Sequence, residues 1–367
     1  MDIYVFNEEL NFIGIIDNFN SLRWVRRYHK SGEFELHLSL TYKSLKMLRE
    51  GYIICKKDDQ EAGVISYRQL KQDEKGKETL IIKGNFITSY LRKRIIWGTE
   101  NLNTSAEIAM MSLVDKNAIN PTDENRKIPL VNLAEIENFP QILNKQVSYS
   151  NLLDELETIS SSSGLGFRIL ADVQLKELIF DVYKGRDLTA NQKINPPAIF
   201  ANEFENVFEQ EYIESTNNFK NAALIAGEGE GFNRQLVTVG EANGLNRYEM
   251  FVDARDLQST INEDGEEITI PADEYRKLLI NRGNSKLLEH EKIETFESKI
   301  NVQGNLKYKV DFDLGDIVTV SNKGWEVTKD TRITEIEEVY EANKTSINVT
   351  FGNSIPTLVD RIKQEVR

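Results

Sequence analysis

Residues 22–40 read LRWVRRYHKSGEFELHLSL, and this stretch decides the fold. From Glu33 onward, Phe34, Leu36, Leu38 and Leu40 fall on one face, and Glu35, His37 and Ser39 on the other. A period of two marks a half-buried β-strand. Leu22–Tyr28 reads as a second strand, and the His-Lys-Ser-Gly run between them as a turn. On the N-terminal side, Asp2–Phe6 alternates, Asn11–Asp17 is largely apolar, and the polar Asn7–Glu9 joins them as a hairpin. On the other side, Tyr42–Arg49 reads as a short helix ending at Gly51. Strands follow at Tyr52–Lys56, Gly63–Leu70 and Glu78–Gly84. About seven short antiparallel strands in succession predict a closed barrel.

The next region, Thr99–Pro197, changes character. Asn103 or Thr104 is placed to cap a helix running through Lys116. After a Pro-containing loop, a pattern starting at Ser148 puts Leu152, Leu153, Leu156 and Ile159 on one helical face, up to Gly164. Phe167–Leu170 and Glu177–Tyr183 form a hairpin. From Ile199 the β pattern returns, with Phe219–Ala226, Lys292–Ile300, Tyr308–Val310, Asp316–Ser321, Asp330–Tyr340 and Ser346–Phe351 as strands. Ala272–Arg282 reads as a helix in an insertion, and Leu358–Glu365 as a closing helix. The fold class is mainly β with α+β modules: two β-barrels plus smaller α/β insertion modules. The expected division is a barrel over 1–98, an α/β module over 99–197, a split barrel over 198–245 and 292–355, an inserted module over 246–291, and a terminal helix over 356–367.

Composition excludes several classes of function. The 367 residues carry a formal charge of −14, the wrong sign for a protein that grips nucleic-acid phosphates or anionic lipid through a basic patch. The opening MDIYVFNEEL lacks a basic start followed by an apolar core, so no signal peptide is read, and no apolar run is long enough for a membrane anchor. Cys55 is the one cysteine, which rules out an intrachain disulfide and fits a reducing cytoplasm.

No cofactor or metal site is expected, and no catalytic residue. His29, His37 and His290 lie far apart, without zinc-spaced partners. There is no Gly-x-Ser-x-Gly elbow. In the Gly227–Gly231 run GEGEG, Glu228 and Glu230 would repel a phosphate, and the strand-like Gln235–Val239 follows where a phosphate loop needs a helix. A structural turn is the expected role. The acidic balance fits a channel wall that lets DNA slide past; ordinary solubility explains it equally well.

The segment STNNFKNAALIAGEGEGFNR, Ser215–Arg234, resembles siphophage tail proteins that share the baseplate-hub fold with the N-terminal part of tail-associated lysins. Phe219, Lys220, Asn221, Gly227, Glu228, Gly229, Gly231 and Arg234 match that pattern in order. In GLNRYEMFVDARDL, Gly244–Leu257, the matching residues are Arg247, Glu249, Asp253, Ala254, Arg255 and Asp256. Tyr308–Val320 with Arg332–Ile336, and Gly166–Gly185, add further blocks. The resemblance implies a homotrimer whose six barrels make a pseudo-hexameric ring at the virion tail tip, built from chains made in the host bacterial cytoplasm. It implies as partners a distal tail protein, a tape-measure protein and receptor-binding or fibre proteins, with DNA passing unbound. Lys220, Asn221, Gly227, Gly229, Gly231, Arg234, Arg247, Asp253, Arg255 and Asp256 become motif and candidate interface residues; a local turn-fixing role for the Asp253–Asp256 charges stays open beside it. Closed barrels have no free edges, so such a ring is expected to join through side-chain faces or loops. The sequence shows no lysin up to Arg367, so wall degradation is not carried over. A glycan-binding adhesin and a cell-wall hydrolase are the alternatives.

Overall fold

The alternation at Leu22–Leu40 becomes two strands, Ser21–Arg27 and Glu33–Ser39, paired antiparallel with Trp24 opposite Phe34. We describe them in a computed structural model that covers residues 1–57, 59–263, 266–341 and 344–352. Glu33–Ser39 pairs next with Glu78–Phe86, which pairs with Ala62–Gln72. Ile53–Lys56, Ile3–Phe6 and Phe12–Ile16 complete the N-terminal run. Residues from both ends of this run, Ile3 and Val5 with Leu22 and Trp24, share one buried cluster, so the sheet rolls around a core.

The expected closed barrel is not what the pairing gives. Among the described residues Phe12–Ile16 and Ser21–Arg27 are not paired. The physical reason is that Ser21–Arg27 spends its second edge elsewhere, on the long strand Val327–Glu341. That strand belongs to the C-terminal half, where Lys344–Gly352, Ile293–Ile300 and Val207–Ser215 follow it in order. Its first residues turn aside to pair with Ile317–Asn322, which carries Asp187–Leu188 and Ile199–Ala201 in parallel. The halves are therefore two rolled, open sheets fused edge to edge. Phe200, Phe296, Phe312, Ile333 and Phe351 fill the second core.

Two modules pack on this frame. In one, helices Ala106–Val114 and Leu152–Ser163 cover the sheet Gly166–Asp172, Glu177–Tyr183 and Val131–Leu133. The first helix is capped by Ser105, one residue beyond the expected Thr104 and two beyond Asn103, because the strand Thr99–Ser105 runs on to the cap. In the other, Ala222–Ala226 lies between Leu236–Val239 and Glu249–Asp253, against the helix Ala272–Leu288. Ala222–Ala226, expected in the split barrel, thus pairs in a small sheet of its own. Tyr308–Val310, read as a strand, is a turn with one isolated bridge to Phe312. The closing helix Leu358–Glu365 lies outside the described residues.

Candidate functional site

Eight strands, from Val207–Ser215 through the fused edge to Ala62–Gln72, present one continuous polar face. Register places Glu209 and Glu211 beside Lys299 and Glu297, and Glu335 and Glu337 beside Arg27 and Val25. Glu33 and Glu35 follow, then Asn85 and Lys83. Carboxylates outnumber cations across the middle of this face. Arg23 pairs with both Glu33 (2.8 Å) and Glu337, and Arg27 with both Glu33 (3.1 Å) and Glu335 (2.6 Å). These pairs lace the two halves together over the seam. Burial works against charge on Glu33, but hydrogen bonds from Arg27 and Arg23 hold its carboxyl below the usual range. Glu297 has the opposite balance: burial, then repulsion from Glu211, Glu335 and Glu337, pushes its carboxyl up.

Under the same seam, on the core side, lies a buried charge network. Arg26 pairs with Glu61, donates to the Tyr308 hydroxyl at 2.9 Å, and reaches Asp313 at 2.6 Å. Lys56 pairs with Glu338 and, at 3.1 Å, with Asp59, which also holds Lys309 at 2.9 Å. Arg26, Lys56, Glu61 and Glu338 are each at most 5 % exposed. Burial opposes the charge on Asp59, yet Lys56, Lys309 and Arg26 hold its carboxyl well below the ordinary range. The network floors a groove of about 710 Å³ between the N-terminal strands and the first module. Composition and motif matching missed these residues, although the sequence carries their signal. Arg26 follows Leu22 and Trp24 in core phase, and Glu338 sits between Ile336 and Tyr340 in the same phase.

The motif blocks gather in two places. Gly166, Gly185 and Gly315 meet around Tyr28, where a Cβ on Gly166 or Gly315 would lie 2.3 Å from the Tyr28 ring. The Tyr28 hydroxyl donates to the carbonyls of Gly164 and Tyr183, both at 3.2 Å, and the Arg332 guanidinium lies over its ring. The other blocks build the small module. Lys220 donates its backbone N–H to the His290 carbonyl, tying the entry of the module to its exit. Asn221 donates to the Asn246 carbonyl at 2.7 Å and accepts from the Tyr248 N–H at 2.9 Å. Gly227 packs under Tyr275, while Gly229 and Gly231 take φ of +103° and +55°, a region that favours glycine. The Glu228 carboxylate accepts from the Ser259 N–H and hydroxyl, so GEGEG is a turn bonded to its own chain.

Arg234 reaches Asp253 at 2.7 Å and the Gly227 carbonyl at 2.9 Å. Arg255 pairs with Asp253 at 2.6 Å, Arg247 with Glu249 at 2.7 Å, and Asp256 with Arg282 at 2.8 Å. Arg255 first, then Arg234, hold the Asp253 carboxyl far below its usual range. Each of these pairs closes inside the module. Elsewhere, Cys55 is buried and its thiol is pushed up to about 12 by burial, which suits a packing role. His29 is half-buried against Ser160, and desolvation lowers its imidazole to about 3. Among the described residues no group of His, Cys, Asp and Glu side chains is placed to hold a metal ion. No helix among them is long and apolar enough to cross a membrane.

This fused, rolled sheet with its two attached modules is the fold of phage tail proteins. The tail protein of Neisseria meningitidis MC58 shares it at 12 % identity and a TM-score of 0.58, over 96 % of each chain. The prophage tail protein gp18 of Listeria monocytogenes EGD-e shares it at 14 % identity and a TM-score of 0.55, over 100 % of this chain and 98 % of that one. The 43 kDa tail protein of prophage MuSo2 from Shewanella oneidensis does so at 12 % and 0.57, over 96 % and 98 %. At such identities the likeness is one of fold. The chain belongs to the Siphovirus ReqiPepy6 Gp37-like protein family, whose model matches residues 2–353. No curated protein sequence matches it.

Proposed function

We propose that the protein is a non-enzymatic structural subunit of a siphophage tail tip, a hub joining the tail tube to the distal host-recognition apparatus. In this reading three copies form a ring, each contributing its two rolled halves as barrel-like units. The neighbours are a distal tail protein, a tape-measure protein and receptor-binding or fibre proteins. The working division keeps 1–98, ends the α/β module near Tyr183, assigns 187–215 and 292–352 to the second rolled half, and treats 216–291 as the insertion. The motif residue Arg255 is exposed enough to contact a neighbour as well as its own carboxylate.

The observation that carries the proposal is the polar face running unbroken across both halves. A sheet face rich in glutamate repels phosphate and displaces none of the counterions condensed on DNA, so DNA passes it with little attraction. A face that wide and that rich in ion pairs needs no apolar partner, which fits the wall of an aqueous hole. Electron cryomicroscopy of the assembled tail tests it. The expected result is three copies around the axis at the distal end of the tube, with Glu335 and Glu337 facing the hole. A peripheral position without a ring, or a ring that turns this face outward, overturns it.

A further inference from the structure

One corner of this acidic chain is basic. The turn Ile87–Lys93 runs into Arg94 and the turn Glu124–Arg126 into Lys127, which gathers Arg92, Lys93, Arg94, Arg126 and Lys127. The two turns clasp each other through their arginines. Arg94 donates to the carbonyls of Arg126 and, at 3.3 Å, Lys127; Arg126 donates to the Ile95 carbonyl and, at 3.3 Å, to Asn117 Oδ1. These acceptors are neutral, and among the described residues neither guanidinium is ion-paired. Of the acids nearby, Glu124 is exposed, Asp123 accepts from the Asn125 N–H and amide, and Glu157 reaches Arg92 at 3.8 Å. Burial first, then repulsion from Arg94, lowers the Arg126 guanidinium from its ordinary range. Like charges held side by side by neutral groups favour an anion.

Apolar side chains break the surface beside these charges. Ile95 and Trp97 flank the buried Ile96 and are 46 % and 49 % exposed, with the Arg126 guanidinium 4.0 Å from the Trp97 ring centre. Tyr149, 71 % exposed, is tied next to them by its N–H on the Gly98 carbonyl. We propose that this corner binds the surface of an anionic lipid bilayer, its cations on headgroup phosphates and Ile95, Trp97 and Tyr149 at the boundary with the acyl chains. The mixture decides the ligand. A soluble polyanion needs cations alone, whereas Trp and Tyr among Lys and Arg match the layered chemistry of a membrane interface. The formal charge of −14 is a sum over the whole chain and does not describe this corner. At physiological salt, fields between exposed charges fade over about 8 Å, so distant carboxylates are screened from it. The contact is peripheral and needs no spanning segment, and it stands whether or not the chain forms a ring.

Vesicle co-sedimentation of the full chain tests it, with phosphatidylglycerol mixed into phosphatidylcholine against phosphatidylcholine alone. The chain is expected to sediment with the anionic vesicles only, and to be released as salt rises. Lys93 and Lys127 are exposed, so Lys93→Gln and Lys127→Gln spare the fold and each weaken binding about fivefold. The pair Lys323→Gln with Lys344→Gln, which removes the same charge elsewhere, leaves it unchanged. Tryptophan emission shifts to the blue on the anionic vesicles, and Trp97→Phe abolishes that shift. Equal binding to both kinds of vesicle, or to neither, overturns the assignment, as does an equal loss in the Lys323 and Lys344 variant. Capture of soluble polyphosphate without vesicle binding overturns it as well, and marks a site for a free polyanion instead.

Discussion

His29 shows how one half-buried side chain sets a pH dependence. Its imidazole falls to about 3 in the folded protein from an ordinary 6.5, through burial first and the nearby Arg332 second. The unfolded chain therefore takes up a proton first as pH drops. The contribution is intact above pH 6.5 and is lost progressively toward pH 3, at about 1.4 kcal/mol per pH unit for one proton. Urea unfolding at pH 7 and 5 measures it; His29→Gln flattens that slope. Gly315 is the second case. Its φ is +91°, and a Cβ there meets the Tyr28 ring. Gly315→Ala costs about 2 kcal/mol or more in thermal unfolding. Gly76→Ala is milder, about 1 kcal/mol, because that glycine has φ of +76° but open space around it.

At the scale of elements, the seam between Ser21–Arg27 and Val327–Glu341 is held by charge on both faces. Arg26→Met leaves Glu61 and Asp313 without their cation and costs about 3–5 kcal/mol. The double change Arg26→Met with Glu61→Gln recovers much of that loss, which chemical denaturation of the single and double variants resolves. On the polar face the prediction reverses sign. Glu297 sits opposite Glu211, and its carboxyl is raised, so the ionised form is strained at neutral pH. Glu297→Gln raises stability by about 0.5 kcal/mol at pH 7, with the gain fading as pH falls and Glu297 protonates. The strands themselves were legible from their alternation, Glu33–Ser39 most plainly. The helix Ala272–Leu288 runs six residues past the pattern's end at Arg282, because Leu287 and Gly283 hold it through tertiary packing on Ile225 and its sheet.

For the whole molecule, local pattern does not say which strand a free edge meets. Alternation in Ser21–Arg27 predicts a strand with a core face, yet its second partner lies more than three hundred residues away in sequence. That one pairing turns two expected closed barrels into a fused open sheet. It also explains why the seam charges went unread as a site: Arg26 and Glu338 make sense only once their strands are adjacent. The ordered motif blocks pointed to the family, and their glycines and ion pairs prove to shape Tyr28's surroundings and the small module. An isolated fragment of residues 1–98 is expected to aggregate, since it exposes the Ser21–Arg27 edge and strands Arg26 and Lys56 without Asp313 and Glu338. A fragment that stays monomeric, with the cooperative melt of a finished domain, would contradict the fused sheet.

The fused edge also sets a timetable for synthesis. Ser21–Arg27 leaves the ribosome about three hundred residues before its partner Val327–Glu341. At about 5–20 residues per second, the N-terminal half waits on the order of tens of seconds for its neighbour. Throughout that interval the nascent chain carries an unfinished edge bearing Arg23 and Arg27, open to wrong partners until its own strand arrives.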